Sequence, residues 1–202
     1  GRGWHVLATE RSPSSGLREA ADTGAIEILT ADVTDSGSLN ALADRIDRNS
    51  LDVVLVNAGI MFREDDRVED ATTEDVTRIM MTNAVGPARA GKLLLPLLRD
   101  GGILAFTTST LGSIEQSSGR FDLYRMSKAA QNMLARGIFE QQAKARGIPV
   151  LSLHPGWVKT DLGGSAAPLT VAESAKGMAD VLEAKHPVAH RFVDYKGNEL
   201  PW

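Results

Sequence analysis

The 202-residue sequence predicts an α/β chain, a doubly wound parallel sheet in a three-layer α/β/α arrangement. Two observations carry that expectation. Short β-rich runs alternate with longer helical patterns along the whole chain, the order that parallel strands joined by crossover helices require. Several of those runs are apolar without interruption, Val53-Val54-Leu55-Val56 among them, as expected where helices cover both faces of a sheet.

In chain order, the strand candidates are Trp4–Thr9, Ala25–Leu29, Leu51–Asn57, Gly102–Thr108, Val150–His154 and Arg191–Asp194. Between them, helices are expected near Leu17–Asp22, Ser36–Arg48, Thr73–Leu98, Tyr124–Arg146 and Val171–Ala184. Thr72 or Thr73 can cap the third of these, with Glu74 and Asp75 in its first turn, where carboxylates complement the helix dipole. Gly147 follows Lys144-Ala145-Arg146, the place for a C-terminal glycine cap, and Gly3 reads as a cap of the same kind. No repeat, low-complexity tract or interdomain linker interrupts the sequence, so one domain is expected over 1–202.

Composition narrows the function classes. Hydrophobic residues make up 43% and charged ones 24%, with a formal net charge of −4, which fits a soluble globular protein. No basic cluster occurs, which argues against nucleic acid as a partner. There is no cysteine, so disulfides and thiolate–metal sites are excluded. His5, His154, His186 and His190 lack metal-ligand spacing. The longest greasy run, Leu93 to Leu98, is too short to span a bilayer and contains Pro96. Gly1-Arg2-Gly3-Trp4 does not read as a signal peptide, so a cytoplasmic location is expected.

The chemistry-bearing feature is Tyr124-Arg125-Met126-Ser127-Lys128, with Ser109 fifteen positions upstream of the tyrosine. On a helix, residues four apart share a face, which sets a phenol beside an ammonium. A free tyrosine ionises near pH ~10, and a neighbouring positive charge favours the phenolate. Such a group can pass a proton to or from a substrate oxygen, and Ser109 can hold that oxygen. The chemistry suggested is interconversion of an alcohol and a carbonyl. Alone, the pair also reads as a solvated surface pair.

Further short signatures accompany it: Asp32-Val33 after one strand, Asn57-Ala58-Gly59 after the next, and Thr82-Asn83-Ala84 inside a long helix. Then come Thr108-Ser109-Thr110 and His154-Pro155-Gly156-Trp157-Val158-Lys159-Thr160. Taken singly they have plain structural readings. Asn57-Ala58-Gly59 is also an ordinary strand-to-loop turn, Asp32 a residue near a helix N-cap, and Ser109 a strand end. Met80-Met81 and Leu93–Leu98 read as core or subunit interface, and His154 as a structural residue.

In this order the signatures resemble the short-chain dehydrogenase/reductase family over nearly the whole chain. His154–Gly164 and Gly197–Trp202 are similar to the branch of C-factor-like proteins and small carbonyl reductases. The resemblance implies a Rossmann-like fold and an NAD(P)-dependent oxidoreductase. It casts Tyr124 as the acid/base, and Lys128 as lowering its pKa while binding the nicotinamide ribose. Ser109 would orient the carbonyl, and Asn83 would hold a relay water. For the cofactor, it implies Asp32 and Val33 at the adenine and Asn57, Ala58 and Gly59 along the groove. Pro155, Gly156, Val158 and Thr160 would stand at the nicotinamide end. Glu10 falls where a carboxylate favours NAD and Arg11 where a cation receives the 2′-phosphate of NADP, with a slight lean to NADP. A small-molecule carbonyl or alcohol is the expected partner, handled by a homodimer or homotetramer. The Gly-, Ser- and Ala-rich stretch Asp161–Thr170 suggests a small or open lid, with Glu115–Arg120 bordering the pocket.

One family feature has no match in the sequence: the opening strand with its glycine-rich turn, Thr-Gly-x-x-x-Gly-x-Gly, which carries the pyrophosphate. Trp4–Thr9 corresponds instead to the family's second strand. In the order 3-2-1-4-5-6 the first strand is central, so Trp4–Thr9 and Leu51–Asn57 are expected to face a cleft, unpaired with each other. The expectation is a chain N-terminally truncated relative to the functional protein. A rival reading is a catalytically impaired relative acting as a binding or signalling protein.

Overall fold

A computed structural model describes residues 2–22, 24, 26–62 and 67–202. Among the described residues six strands and six α-helices follow one another: β1 (Val6–Glu10), α1 (Ser15–Ala21), β2 (Ile26–Thr30), α2 (Ser36–Ala43), β3 (Leu51–Val56), α3 (Thr73–Met80), α4 (Gly86–Leu94), β4 (Leu98–Thr107), α5 (Asp122–Ile138), β5 (Val150–His154), α6 (Val171–Glu183) and β6 (His190–Asp194). All the ladders are parallel. Ala25, the expected first residue of the second strand, lies outside the described residues.

The strands form a four-stranded sheet in the order β3-β4-β5-β6 and a separate two-stranded sheet, β1-β2. β1 and β3 share no ladder among the described residues, as the expected cleft requires. Leu55 on β3 is correspondingly 37% exposed despite its place in an apolar strand.

Alternation along β4 divides the larger core. Leu104 and Phe106 join Val54, Val56 and Val150 beneath Ala135, Ile138 and Phe139. Ile103 and Ala105 turn to the other face, with Leu151, Leu153 and Val193 against Met178, Val181 and Leu182 of α6. Both faces of the sheet are thus covered, which is why these strands read as continuous apolar runs. The smaller sheet has its own cluster of Leu29, Ala31 and Leu42, joined by Leu7 and Leu94. α2 ties the two sheets together, since Leu39 packs into the large core and Leu42 into the small one. Arg2 adds a bridge to Asp180 and Glu183 on α6.

Several expected boundaries shift, and the helix expected over Tyr124–Arg146 begins at Asp122 and passes beyond Ile138 into a π turn at Phe139–Ala143 and a 3-10 turn at Lys144–Arg146. The helix expected over Thr73–Leu98 is broken by a π turn at Met81–Val85, and after Leu94 it tightens to a 3-10 turn at Leu95–Leu97. Pro96 has no N–H to continue the ladder. α2 stops at Ala43, not Arg48, because the chain turns through left-handed Asn49 (φ 57°) into β3. β4 starts at Leu98 rather than Gly102. Leu98 pairs with Leu51 and Ile103 with Val53, the residues between bulging at Gly101 (φ 79°). The caps agree better: Thr72 and Asp75 form a reciprocal capping box, and Gly147 (φ 65°) closes the long fifth helical stretch.

Candidate active site

The sequence-selected residues gather at the carboxyl ends of the strands, where parallel α/β sheets bind ligands. Asn57 follows β3, Ser109 follows β4, Pro155 follows β5, Glu10 ends β1 and Asp32 follows β2.

Tyr124 and Lys128 stand one turn apart at the start of α5, and both are buried, at 9% and 3% exposure. The Lys128 Nζ lies 5.8 Å from the centre of the Tyr124 ring. It donates to the Thr107 carbonyl (2.9 Å) and to Gln131 Oε1 (3.1 Å). The Ser109 hydroxyl lies near enough to the Tyr124 phenol to favour its ionised form. Ser109 is itself oriented by a short turn, its Oγ accepting from the Leu111 N–H (3.1 Å).

The electrostatics differ from the sequence expectation of a tyrosine acidified by its lysine. Burial pushes the Tyr124 phenol up to about 12, with the neighbouring Ser109 hydroxyl opposing it, and drags the Lys128 ammonium down to about 8. Desolvation disfavours the charged form of each group. Tyr124 is therefore a neutral phenol at neutral pH.

Asn83 sits in the π turn, fully buried. Its Oδ1 accepts from the Ile60 N–H (2.7 Å), while its Nδ2 donates to the Ile60 carbonyl (2.7 Å) and Ser127 Oγ (2.9 Å). Ser127 Oγ donates in turn to the Tyr124 carbonyl (2.8 Å). The amide therefore clamps the loop after β3 to the tyrosine's helix. Single π turns of this kind recur at functional sites. Gly86 closes the turn against Val33, whose carbonyl oxygen would stand 2.5 Å from a Cβ there.

Asn57 is fixed by the Thr107 hydroxyl, which donates to its Oδ1 (2.8 Å). Two residues on, a Cβ at Gly59 would lie 3.4 Å from Lys128 Nζ and 3.6 Å from Asn83 Oδ1. The Asn57-Ala58-Gly59 turn thus passes close over the lysine, which a bare backbone permits.

Glu10, Arg11, Asp32 and Val33 form a second group. The Glu10 carboxylate accepts from the Ser14 N–H (2.9 Å). Asp32 Oδ1 accepts from the Thr34 N–H (2.8 Å) and hydroxyl (2.7 Å), which hold its carboxyl below the usual range with help from the charge of Arg11. The cap of α2 is Asp35, accepting from the Gly37 N–H, and Asp32 stands three residues before it, near the N-cap as its plain structural reading expects.

The third group is the loop after β5. The Pro155 carbonyl accepts from Ser174 Oγ (2.6 Å) on α6. Gly156 (φ 84°) has Leu169 Cδ1 2.4 Å from where a Cβ would stand. Val158 bridges to Leu169, and Thr160 Oγ1 accepts from the Gly163 N–H (3.0 Å). The stretch expected as a small or open lid folds back on itself through these contacts. Sequence reasoning did not single out Gln131, Thr107, Ser127 or Ser174. Gln131 had a detectable signal, a polar residue three past Lys128 on the same helix face.

Among the described residues, no helix is long and apolar enough to cross a membrane, and no group of three His, Asp or Glu residues is arranged to hold a metal ion.

Comparison with known proteins gives a consistent result. The family profile described as enoyl-(acyl carrier protein) reductase matches residues 1–194. The C-signal protein of Myxococcus xanthus is 37% identical over 168 residues, covering 81% of this chain and 100% of that protein. A short-chain dehydrogenase/reductase from Burkholderia multivorans with bound NADP superposes with a TM-score of 0.92 at 34% identity, covering 100% of this chain and 90% of that one. A carbonyl reductase from Pseudomonas aeruginosa PAO1 in complex with NADP gives 0.90 at 34% identity, with the same coverage.

Proposed function

Because the chain belongs to the short-chain dehydrogenase/reductase family, we propose that it interconverts a carbonyl and an alcohol with NADP(H), Tyr124 acting as the acid/base. The observation that carries this reading is the buried Tyr124 phenol with Lys128 Nζ 5.8 Å from its ring and the Ser109 hydroxyl beside it.

The residues present fit a nicotinamide dinucleotide at both ends. Gly59 leaves its backbone bare beside the Lys128 ammonium, and positive-φ Gly156 is pinned open by Leu169. Lys128 would hold ribose hydroxyls, with Asn57, Ala58 and Gly59 along the groove and Pro155, Gly156, Val158 and Thr160 at the nicotinamide. Asp32 and Val33 would flank the adenine. Arg11 would take the 2′-phosphate, since Glu10 already accepts from the Ser14 N–H; the NADP-bound neighbours support that choice over NAD. When bound, NADP(H) supplies or accepts the hydride.

The chain's own part is to hold the substrate oxygen and move a proton. Ser109 donates to or accepts from that oxygen, fixing the carbonyl beside Tyr124. The phenol, protonated at neutral pH, gives its proton to the oxygen in reduction; in the reverse direction it takes one from the alcohol. A small-molecule ketone, aldehyde or secondary alcohol is the substrate class.

Tyr124→Phe is expected to cut the rate of carbonyl-dependent NADPH consumption about 10²–10⁴-fold, the usual worth of a positioned acid/base, with NADPH affinity retained. Equal rates in the two proteins would overturn the assignment. The likeness to C-signal over that protein's whole length favours a second reading, in which the same cleft binds without turnover. On that reading Tyr124→Phe changes no activity because the parent has none, while NADPH fluorescence still reports binding.

A further inference from the structure

Tyr124, Lys128 and Gln131 follow one another at intervals of four and three along α5 and are all buried on the same face. Gln131 is 1% exposed. Its Oε1 accepts from Lys128 Nζ at 3.1 Å, while its Nε2 has no hydrogen-bond partner among the described residues. A buried amide with an unpaired donor costs stability, and a side chain of similar volume without polar atoms would avoid that cost. Packing therefore does not explain a glutamine here; its bond to the lysine does.

We propose that Gln131 is a positioning residue, whose side-chain carbonyl holds the Lys128 ammonium against the Asn57–Gly59 turn. The proposal rests on the oxidoreductase reading for its catalytic meaning, though not for its geometry. Lys128 has two acceptors, and they differ in kind. The Thr107 carbonyl belongs to β4 and is fixed by the sheet, so it cannot be altered by substitution. Gln131 is the adjustable one. Around the ammonium stand Tyr124 and Gln131 from α5, Thr107 from β4, Gly59 from the loop after β3, and Asn83 from the π turn. Of these, Tyr124 alone titrates, and it is a neutral phenol below its raised pKa. Among the described residues, the lysine's charge is thus stabilised by two dipoles rather than by a carboxylate.

Burial already brings Lys128 down to about 8, so removing an acceptor of the charged form lowers it further, and supplying a carboxylate raises it. The test is NMR titration of the Lys128 side chain in the full chain carrying Gln131→Met or Gln131→Glu, beside thermal unfolding of each. Methionine keeps the length and flexibility of the side chain without its carbonyl. The expected order of Lys128 pKa is Q131M, then parent, then Q131E, each step about one unit, with Q131M unfolding no lower than the parent. Gln131→Leu serves as the second apolar variant should Q131M fail to fold. Coincident titrations of the parent and the apolar variant would overturn the proposal, as would both apolar variants unfolding well below the parent. Should the parent show no carbonyl-dependent turnover while the titrations still separate in that order, the oxidoreductase reading fails and the placement of Gln131 stands.

Discussion

Tyr124 shows how much a single residue's chemistry depends on its surroundings. Spacing alone set it beside Lys128, and the expected effect of an adjacent cation is a lower phenol pKa. In the fold both groups lose their water. The phenol rises to about 12, and the ammonium, with a carbonyl and an amide for company, falls to about 8. Gly59 is the second residue-scale case. It matched a turn pattern in the sequence, yet its role as the backbone that passes over Lys128 needs the coordinates. Gly59→Val is expected to weaken NADPH binding about tenfold, because branching beyond a Cβ 3.4 Å from Nζ must displace the lysine. That loss corresponds to overpacking of about 1.4 kcal/mol. A fluorescence titration checks it, and unchanged affinity would remove Gly59 from the site.

At the scale of elements, the helices are fixed by local chemistry at their starts and by tertiary demands in their middles. Thr72 and Asp75 cap α3 reciprocally, and Thr170 and Glu173 do the same for α6. The second box also bears on the loop after β5, because Ser174 in the same first turn holds the Pro155 carbonyl. Thr170→Ala should cost about 1 kcal/mol of stability, read by chemical denaturation, and an unaltered midpoint would show that the cap carries no weight. The middles were less legible. A π turn at Met81–Val85 has no strong local signature; what requires it is Asn83 bonded to Ile60 and Gly86 pressed on Val33. Arg120 and Phe121, left-handed at φ 63° and 58° just before α5, are likewise set by context, since non-glycine residues avoid that region.

For the whole molecule, the buried titratable groups give a pH profile with three limbs. His154 and His190 are both pushed down to about 4 by burial. Between pH ~6.5 and about 4 the unfolded chain therefore binds more protons, and stability falls as the solution is acidified. Lys128, depressed to about 8, acts in the same sense at higher pH: from about 8 to ~10.5 the unfolded chain holds the extra proton, so stability rises with pH, by about 3 kcal/mol in all. Tyr124, raised to about 12, has the opposite sign. From pH ~10 to about 12 the folded chain holds the proton, and stability falls as pH rises. Denaturant midpoints across this range should rise and then fall on the alkaline side. Lys128→Met should remove the rise and Tyr124→Phe the fall; a profile unaffected by either change would contradict the burial of both groups.

Taken by itself, the sequence determined the alternation of strands and helices, the apolar runs that demand two covered faces, and the order of Asp32, Asn57, Asn83, Ser109, Tyr124, Lys128 and Pro155 along the chain. These are properties of local pattern and of residue type, and they survive without coordinates. Tertiary structure alone decided which polar groups meet. The Asn83 amide spans from the π turn to Ile60 and Ser127, Ser174 reaches across to Pro155, and Gln131 spends its one bond on Lys128. It also decided that Tyr124 is harder to ionise than free tyrosine. The reason is common to all of these. Hydrogen bonds and desolvation depend on distances between groups far apart in the chain, and no periodicity in the chain encodes them.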